Sequence, residues 1–525
     1  MRSRRASLAA IVAAALTIAS GPAGSQELRI ALGVLARSID PHFANVATDQ
    51  AQSLHLFDRL IMQDENQRLY PGLATAWRVV GEKVWELQLR EGVRFHDGSP
   101  FTAQDVEFTV RRAGDVPNAT APLSVYTRTI DRIEILESHR VRVHTKQPAP
   151  LLPWDLSTFS IVSKRVGEGA TTADYNSGKA AIGTGPYRFA EYVPDDRIVV
   201  VRNDDWWGGR QPWERVTFRR IANPAVRSAA LLARDVDVIE RVPSQDLARL
   251  EVAPDIAVWR TPSYRVMYLL LDSYRDVPLN NLRDFEGRPL ATNPLRDRRV
   301  RLALSRAIAR DTLTERVMEG LGIPAGQLVP PALFGHDPTI TAPTQDVALA
   351  RQLLAEAGWP NGFQMTLHSA SGLWPNDARA AQTIAQMFTR LGLQVNVEAV
   401  PPQMYSTRAT NFEFSVAFYG WGTDTGEAGA ALRGLVQTRD NAAGTGPSNR
   451  GRYSNPALDV LIDRARGTFD NATRERLYQE AMRMAMDDVA VIPLYFPIGT
   501  WATRGGIGFV PRLDEFTLAM SARPK

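Results

Sequence analysis

The stretch EGVRFHDGSPFTAQDVEFTVRR, residues 91–112, places His96 beside Asp97 and follows them with Asp105. An imidazole among carboxylates is typical of a metal site or of an acid–base catalyst. The same stretch also predicts a strand, a turn at His-Asp-Gly, and a helix whose first turn is capped by Thr102 and Asp105. Because the turn and the cap account for Asp97, Thr102 and Asp105, His96 is left without an obvious metal co-ligand. The sequence therefore favours a structural interpretation of this stretch.

Other motifs of catalysis and cofactor binding do not match. GTGPYR has Arg188 where a dinucleotide-binding loop needs its third glycine, and SGKA around Lys179 lacks the glycine spacing and the Ser or Thr of a phosphate loop. The sequence has no H-E-x-x-H, no G-x-S-x-G and no calcium-loop pattern. It therefore predicts a protein that is not an enzyme and that has no metal site and no cofactor.

Length, composition and charge narrow the class further. The 525 residues predict two or three domains, and the hydrophobic and charged fractions are those of a folded globular protein. The 61 basic and 57 acidic residues nearly balance, which disfavours a nucleic-acid partner. There is no cysteine, so disulfides, thiolate catalysis and thiolate metal sites are excluded.

The N-terminus, MRSRRASLAAIVAAALTIASGPAGSQ, has the features of a signal peptide. A basic start precedes an apolar run from Leu8 to Ala19, with small residues Ala23 and Ser25 in cleavage spacing. The run is shorter than the ~20 residues of a spanning helix. We expect residues 1–25 to be removed on export, without a lipid anchor because no cysteine is present, and the protein to be retained in a periplasm.

The elements that must position any site are of the α/β type. VWELQLR and RVRVHT alternate as half-buried strands, with Trp85, Leu87 and Leu89 on one face of the first. RDRRVRLALSRAIARD has a helical apolar stripe, which consists of Val300, Ala303, Leu304, Ala307 and Ile308. Two further helices end at Gly358 and Gly392, and the second runs directly into the strand-like LQVNVEAV. Helices that lead directly into strands predict α/β layers.

Several long segments together resemble a known family. They are LFDRLIMQDENQRLYPGLATAWRV with the stretch 85–112, then GTGPYRFAEYVPDDRIVVVRNDDWWGG, LRDRRVRLALSRAIARDTLTERVMEGLG, YSNPALDVLIDRARGT and VAVIPLYF. In this order they resemble the bacterial extracellular solute-binding proteins of family five, the peptide/nickel type that serves ABC importers. The resemblance covers nearly all of the chain after residue 25.

The resemblance implies two α/β lobes joined by a hinge, with an extra subdomain on the first lobe. The first lobe would comprise residues 27–56, 185–269 and 490–525, the extra subdomain residues 57–184, and the second lobe residues 270–489. The ligand would lie between the lobes, which close over it. The stretch around His96 would lie in the extra subdomain, away from the ligand.

One segment of the resemblance carries ligand contacts. Peptide-binding members have a strand followed by G-W-x-x-D, whose aspartate holds the ligand's α-ammonium. FYGWGTDTGEAG places Trp421 and Asp424 at those positions, with Tyr419 beside them. A carboxylate in a water-poor cleft forms a strong charge-assisted hydrogen bond with an ammonium group. The alternative is that Asp424 is a turn residue in GTDTG.

The sequence departs from the family pattern in two places. The usual Asp-Pro after the anchor is Glu427-Ala428, and Gly372 stands where dipeptide-binding members carry an arginine for the ligand's carboxylate. Without that arginine a free dipeptide lacks its bidentate partner. The departure disfavours strict dipeptide specificity and favours a longer peptide or a non-peptide solute with an amine. Trp374 is a candidate for lining the enlarged site.

Three weaker candidates complete the predicted site. Tyr264 and Tyr268, in PSYRVMYLLLD, lie where the chain approaches the cleft and hinge in relatives. Asp40, in RSIDPHF, belongs to a first-lobe loop that faces the cleft, although an Asp-Pro turn explains it equally well.

The resemblance implies a monomeric periplasmic binding protein that captures a di- or oligopeptide and delivers it to the permease subunits of an ABC importer. Rival ligands are a nickel chelate, an opine or another non-peptide solute, because the fold does not fix the ligand. A chemoreceptor or chaperone partner would share the same fold. A secreted metal-dependent hydrolase is the rival from another class, and the missing motifs oppose it.

Overall fold

The computed structural model describes residues 27–119 and 121–525. The predicted signal peptide, residues 1–25, lies outside the described residues. The strands are β1 Glu27–Leu32, β2 Ile61–Gln63, β3 Leu69–Pro71, β4 Ala74–Gly81, β5 Val84–Leu89, β6 Ile130–Glu137, β7 Arg140–Thr145, β8 Tyr187–Val193, β9 Arg197–Arg202, β10 Arg215–Arg220, β11 Val238–Glu240, β12 Ile256–Pro262, β13 Val266–Leu271, β14 Leu282–Arg283, β15 Gly322–Pro324, β16 Gln364–Ala370, β17 Gln394–Val400, β18 Val416–Trp421, β19 Ile492–Arg504, β20 Ile507–Phe509 and β21 Ala522–Pro524.

Helices connect most of these strands. They are α1 Ala47–Ser53, α2 Ala103–Ala113, α3 Ser124–Thr127, α4 Leu152–Asp155, α5 Lys164–Gly167, α6 Thr172–Asn176, α7 Pro224–Leu232, α8 Ser244–Glu251, α9 Arg298–Ala307, α10 Arg310–Thr312, α11 Val347–Glu356, α12 Asp377–Thr389, α13 Pro402–Thr410, α14 Ala428–Ala431, α15 Pro456–Arg466 and α16 Asn471–Asp487. In the part of the chain described, no helix is long and apolar enough to cross a membrane.

The long strand β19 joins two halves of one 13-stranded sheet. Its C-terminal part pairs antiparallel with β12, from Ile498 opposite Pro262 to Arg504 opposite Ile256. Its N-terminal part pairs antiparallel with β13, where Ile492 faces Leu269. β12 and β13 therefore pair with the same strand, β19, and residues 263–265 separate them. At this break, β19 and the β12–β13 segment both pass between the two halves of the sheet.

Each half of the sheet has its own core. The first half contains β1 and β8–β12, and its apolar core includes Ile30, Phe57 and Val200. The second half contains β13–β18 and is covered by helices on both faces, with a core on each side. The central strand β13 of this half reads as an apolar run, and every residue of it is buried, as expected for a strand covered on both faces.

A separate four-stranded antiparallel sheet, in the order β4-β5-β7-β6, forms a third body with its own core. The predicted alternation is confirmed, since Leu87 and Leu89 of β5 and Val141 and Val143 of β7 are buried in that core. Helix α2 packs on this sheet. Thr102 and Asp105 form the predicted capping box at its start.

The predicted helices of the second half are also confirmed. The apolar stripe Val300, Ala303, Leu304, Ala307 and Ile308 is fully buried along α9 and just beyond its end. Asp346 caps α11 by accepting a hydrogen bond from the backbone N–H of Leu349 at 2.9 Å. Gly358 and Gly392 follow their helices with φ near +90°, a conformation that favours glycine.

The glycines of the AIGTGPY loop allow a close backbone contact with Leu56, a core residue of the first half of the sheet. A Cβ atom on Gly183 would lie 1.8 Å from the carbonyl oxygen of Leu56. We expect Gly183→Ala to lower the free energy of unfolding by about 1–3 kcal/mol or more, because the Leu56 backbone must shift. Denaturant unfolding measures this change.

Gly506→Ala is the matched control, because a Cβ atom there would meet no atom within 4 Å and its φ is not positive. Its unfolding free energy should stay within about 0.5 kcal/mol of the original. Equal destabilisation by the two substitutions would contradict the steric account of Gly183.

Candidate functional site

Asp424 stands in the turn that follows β18. The turn is closed by a hydrogen bond from the backbone N–H of Gly426 to the carbonyl of Thr423 at 2.9 Å, and Gly426 has φ +72°. The turn projects Asp424 out of the second half of the sheet and toward the other two bodies. The side-chain amide of Gln63, at the end of β2, donates to the Asp424 carbonyl oxygen at 3.0 Å.

Two tyrosines from different parts of the chain converge on the Asp424 carboxylate. The hydroxyl of Tyr264 donates to Oδ1 at 3.0 Å, and the hydroxyl of Tyr126 donates to Oδ2 at 3.3 Å. Asn45 in turn donates to the Tyr126 hydroxyl at 3.1 Å. Tyr264 lies in the interruption between β12 and β13, and Tyr126 lies on α3 of the four-stranded body. The site thus joins all three bodies.

The carboxylate faces a small cavity of about 30 Å³ that opens to solvent. Besides Asp424 and Tyr264, this cavity is lined by Asn45, Ala47, Gln50, Arg59, Gln63, Gln67, Thr158, Asp514 and Phe516. Asp424 is enclosed by protein on several sides and still exposes much of its surface to the cavity. This combination of enclosure and access is typical of a ligand site.

The electrostatics of the cavity favour a cationic ligand group. Burial raises the pKa of Asp424 above its usual range, opposed by the hydrogen bond from Tyr264 and the charge of Arg265. Burial and the charge of Asp424 raise the pKa of both tyrosines well above the ordinary value, so both hydroxyls keep their protons. A carboxylate has about four acceptor positions, so two remain after the tyrosines. An ammonium group would use them and stabilise the ionised form.

The predicted aromatic residues lie beside Asp424 along β18 and β13. Tyr419 stacks on Tyr268, with ring centroids 6.0 Å apart, and both side chains are buried. Trp374 lies edge-on to Tyr419 at 6.2 Å and against the backbone of Gly420. Trp421 is half-buried and packs on Gly434. The side chains of Tyr268, Tyr419, Trp374 and Trp421 thus pack behind the Asp424 turn. Their contact with a ligand stays a prediction.

Gly372 lies in an exposed loop with φ +87°. Its backbone N–H, with those of Leu373 and Trp374, donates to the buried carboxylate of Asp377. A Cβ atom on Gly372 would meet no atom within 4 Å, so the loop leaves open space there. The role of this position in ligand binding stays a prediction.

Asp40 does not join Asp424. Its buried carboxylate accepts two hydrogen bonds from Arg112, at 2.8 and 2.7 Å, and one from Thr172 at 2.9 Å. Arg112 also donates to Nδ1 of His42. These contacts tie the loop after β1 to helices α2 and α6, and they occupy the carboxylate fully. Its contact with ligand stays a prediction.

His96 and Asp97 form structural contacts. The Nδ1 atom of His96 accepts from the backbone N–H of Gly183 at 3.3 Å, and Nε2 donates to the carbonyl of Gly185 at 3.1 Å. Asp97 accepts from Ser99 and pairs with Arg165. Burial lowers the pKa of His96 to about 4, so the ring is neutral near pH 7. Among the residues that the structure describes, no group of three or more His, Asp or Glu side chains is arranged to hold a metal.

Sequence reasoning missed the residues that the first lobe and the four-stranded body supply. Tyr126 is 298 positions from Asp424, and Asn45 and Gln63 are also far from it in sequence. Tyr126 and Asn45 stand in no motif, and Gln63 lies in a family-like segment without a predicted ligand role. Tyr264 was found only as a position near the cleft, whereas the structure shows it to be a direct donor to Asp424.

A sequence profile described as bacterial extracellular solute-binding proteins, family 5 Middle, matches residues 68–443, well over half of the chain. The chain belongs to this family. The dipeptide-binding protein of Escherichia coli is 28% identical over 477 residues, covering 85% of this chain and 84% of that protein. The heme-binding protein A of Haemophilus influenzae is 26% identical over 476 residues, covering 86% and 83%.

A solved structure gives the same fold. The ABC transporter-associated periplasmic binding protein DppA from Helicobacter pylori, in complex with the peptide STSA, aligns with a TM-score of 0.78 at 24% identity, covering 95% of this chain and 98% of that chain. The predicted two-lobed periplasmic-binding-protein fold and the predicted family are both confirmed. This family 5 chain is a solute-binding protein, and its domain boundaries stay a prediction.

Asp40, unlike Asp424, is paired with an arginine, and the contribution of this buried ion pair to stability can be tested. We expect Asp40→Asn to lower the free energy of unfolding by about 3–5 kcal/mol, because Arg112 loses its buried counter-charge. Asp205→Asn is the control, since the Asp205 side chain is 86% exposed in its pair with Arg188 and should change stability by less than about 1 kcal/mol. Chemical denaturation measures both.

The Asp40–Arg112 pair also predicts how stability depends on pH. Burial opposes ionisation of Asp40, but the hydrogen bonds and charge of Arg112 prevail and lower the pKa of Asp40. The lowered pKa contributes stability above the unfolded value of about 3.9, and this contribution is lost as the pH falls toward the folded value. Asp40→Asn should lack that acid-dependent loss. An unchanged acid profile in the variant would contradict the assignment.

Proposed function

We propose that this family 5 protein is the periplasmic binding component of an ABC importer, and that it captures a peptide or peptide-like amine between its lobes. The observation that carries this proposal is the Asp424 carboxylate, which faces the interlobe cavity, receives two neutral tyrosine donors and keeps acceptor positions free. The ligand's ammonium group binds there. The likeness to the dipeptide-binding protein of Escherichia coli supports a peptide as the solute.

Neutral partners give Asp424 its role. Tyr126 and Tyr264 hold the carboxylate in place without cancelling its charge, so the negative charge remains for the ligand. Arg59 lines the same cavity and the charge of Arg265 acts on Asp424, but each arginine is engaged elsewhere: Arg59 donates to Ser157 and Gln50, and Arg265 pairs with Glu515. A ligand ammonium therefore exchanges its water for a strong charge-assisted bond.

The Asp424 contacts also connect binding to closure. Asp424 belongs to the second lobe, whereas Tyr126 and Gln63 lie in the proposed extra subdomain, residues 57–184. A ligand held on Asp424 contacts groups from both sides of the cleft only when the lobes are closed. Binding then favours the closed form, because the ligand interacts with it more strongly than with the open form. The closed, loaded protein delivers its solute to the permease subunits.

The proposal also covers the export, the oligomeric state and the activity of the protein. Residues 1–25 direct export and are removed, and the mature chain acts as a monomer in the periplasm. The protein binds its solute without converting it. Turnover of a peptide library that Asp424→Ala leaves intact would instead indicate a secreted hydrolase.

Asp424→Asn tests the ammonium site with matched ligands. The wild-type protein should bind trialanine more tightly than N-acetyl-trialanine, which has no ammonium group. Loss of the charged contact should weaken trialanine binding by about 10- to 100-fold, because hydrogen bonds to charged groups contribute about 1.5–3 kcal/mol. Titration calorimetry measures the dissociation constants.

The control is Asp195→Asn, since the Asp195 side chain is 87% exposed and lies in the β8–β9 turn. It should leave both dissociation constants unchanged. In Asp424→Asn the difference between trialanine and its acetylated form should disappear. If the variant retains that difference, the ammonium binds elsewhere and the proposal fails.

The pH dependence of binding gives a second test. An ammonium ligand needs the ionised carboxylate, and burial raises the pKa of Asp424. Trialanine affinity should therefore fall as the pH is lowered from 7 through that pKa, beginning at higher pH than an ordinary aspartate with a pKa of about 3.9 would give. The affinity of Asp424→Asn should stay level over the same interval. Parallel profiles for the two proteins would contradict the assignment.

A further inference from the structure

A second and larger cavity lies next to the Asp424 cavity. It has a volume of about 450 Å³ and is open to solvent, compared with about 30 Å³ around Asp424. Its aromatic walls and one arginine define what we call the tryptophan pocket. These residues are Trp77, Trp85, Trp154, Phe334, Phe469 and Arg474.

The two cavities are adjacent. Gln67 lines both of them, and Gly426, only two residues beyond Asp424, lines the tryptophan pocket. Gly426 and Gln67 pack directly against each other between the cavities, since a Cβ atom on Gly426 would lie 3.0 Å from the Cβ atom of Gln67. A ligand anchored on Asp424 therefore has the tryptophan pocket within reach of its next groups.

The walls of the pocket come from both sides of the interlobe seam. Trp77 and Trp85 stand on β4 and β5 of the four-stranded sheet, whereas Phe334 and Phe469 belong to the second lobe. Trp85 and Phe469 approach each other across the seam, with ring centroids 6.1 Å apart. A planar group placed in the pocket would contact both sides at once.

Arg474 makes the pocket suited to an aromatic group. Its side chain is buried, and its guanidinium lies 5.4 Å from the ring centre of Trp154 and 5.2 Å from that of Phe334. It donates to the carbonyl of Thr468 and to Asn471, while its buried Nε has no hydrogen-bond partner among the described residues. Arg474 thus holds two of the aromatic walls, Trp154 and Phe334, in place through cation–π contacts.

Close packing alone does not explain this space. Protein interiors have few voids larger than a water molecule, and side chains in a purely structural seam pack against one another. Here several large aromatic side chains face a space of about 450 Å³ and stay partly exposed, among them Trp77, Trp154 and Phe334. Concave sites lined by aromatic side chains with a few polar groups are typical of ligand binding.

We infer that the tryptophan pocket binds an aromatic side chain of the same ligand whose ammonium group is held by Asp424. This inference rests on the proposed function and specifies its ligand as an amine-bearing peptide with an aromatic residue. The aromatic group fills the space between the four-stranded body and the second lobe. It thereby stabilises the closed form, because only that form offers both walls.

The test compares trialanine with the three tripeptides that replace one alanine by tryptophan. In the wild-type protein at least one tryptophan peptide should bind about tenfold more tightly than trialanine, as expected when a large aromatic group is buried. Ala332→Trp places a bulky side chain at the rim of the pocket and should abolish this preference while leaving trialanine affinity unchanged. Trp154→Ala should reduce the preference by removing a wall.

Phe285→Ala is the matched control, because Phe285 is an exposed aromatic residue away from both cavities. It should keep the full preference. Tryptophan peptides that bind no more tightly than trialanine, or a preference that survives both pocket variants, would overturn the inference. Because Ala332→Trp adds a side chain at an exposed position, it keeps the test decisive if Trp154→Ala fails to fold.

A second binding experiment distinguishes failure of this inference from failure of the proposed function. N-acetyltryptophanamide has no ammonium group for Asp424, so the pocket alone should bind it in about the millimolar range. Ala332→Trp should remove this binding and Asp424→Asn should preserve it. Binding of N-acetyltryptophanamide without binding of any tripeptide would refute the peptide function and retain the pocket. Binding of trialanine without binding of N-acetyltryptophanamide would refute the pocket and retain the function.

Discussion

The position of the site depends on the two antiparallel segments that cross between the lobes. β19 and the interrupted pair β12 and β13 are the shared strands of the two half-sheets. The interruption is fixed by backbone hydrogen bonds from Ser263 to Pro497 and from Tyr264 to Leu513. Tyr264 therefore occupies the point where the lobes are joined, and its hydroxyl contacts Asp424. The Asp424 carboxylate and the connection between the lobes are thus linked by one side chain, that of Tyr264.

Two aspartates show how neighbours decide the role of one residue type. Asp40 is paired with Arg112, so its charge is cancelled and its contribution is to stability. Asp424 receives only neutral tyrosine hydroxyls, so its charge is retained and its remaining acceptor positions face a cavity. Burial of an unpaired carboxylate is costly. The cost is tolerated where a cationic ligand completes the site.

The sequence predicted local elements and the family, because both depend on residues close together in the chain. The capping box at Thr102, the buried stripe of α9 and the turn position of Asp424 are all of this kind. Contacts between distant segments have no such periodic signal. Tyr126 reaches Asp424 across 298 positions, and Asp58 accepts hydrogen bonds from Trp206 and Trp207, which a sequence pattern does not reveal. Tyr419 and Trp421, near Asp424 in sequence, pack behind its turn and their contact with ligand stays a prediction, whereas the open aromatic walls lie on distant parts of the chain.

The missing arginine at position 372 and the tryptophan pocket fit one physical account. An arginine binds the end of a short ligand through a directed pair of hydrogen bonds, which fixes the ligand's length. Gly372 leaves open space instead, so that constraint is absent. Apolar burial is non-directional and tolerates different lengths and orientations. The proposed site, with one charged anchor at Asp424 and a wide aromatic cavity beside it, is therefore expected to select for an amine and a bulky ring rather than for a fixed number of residues.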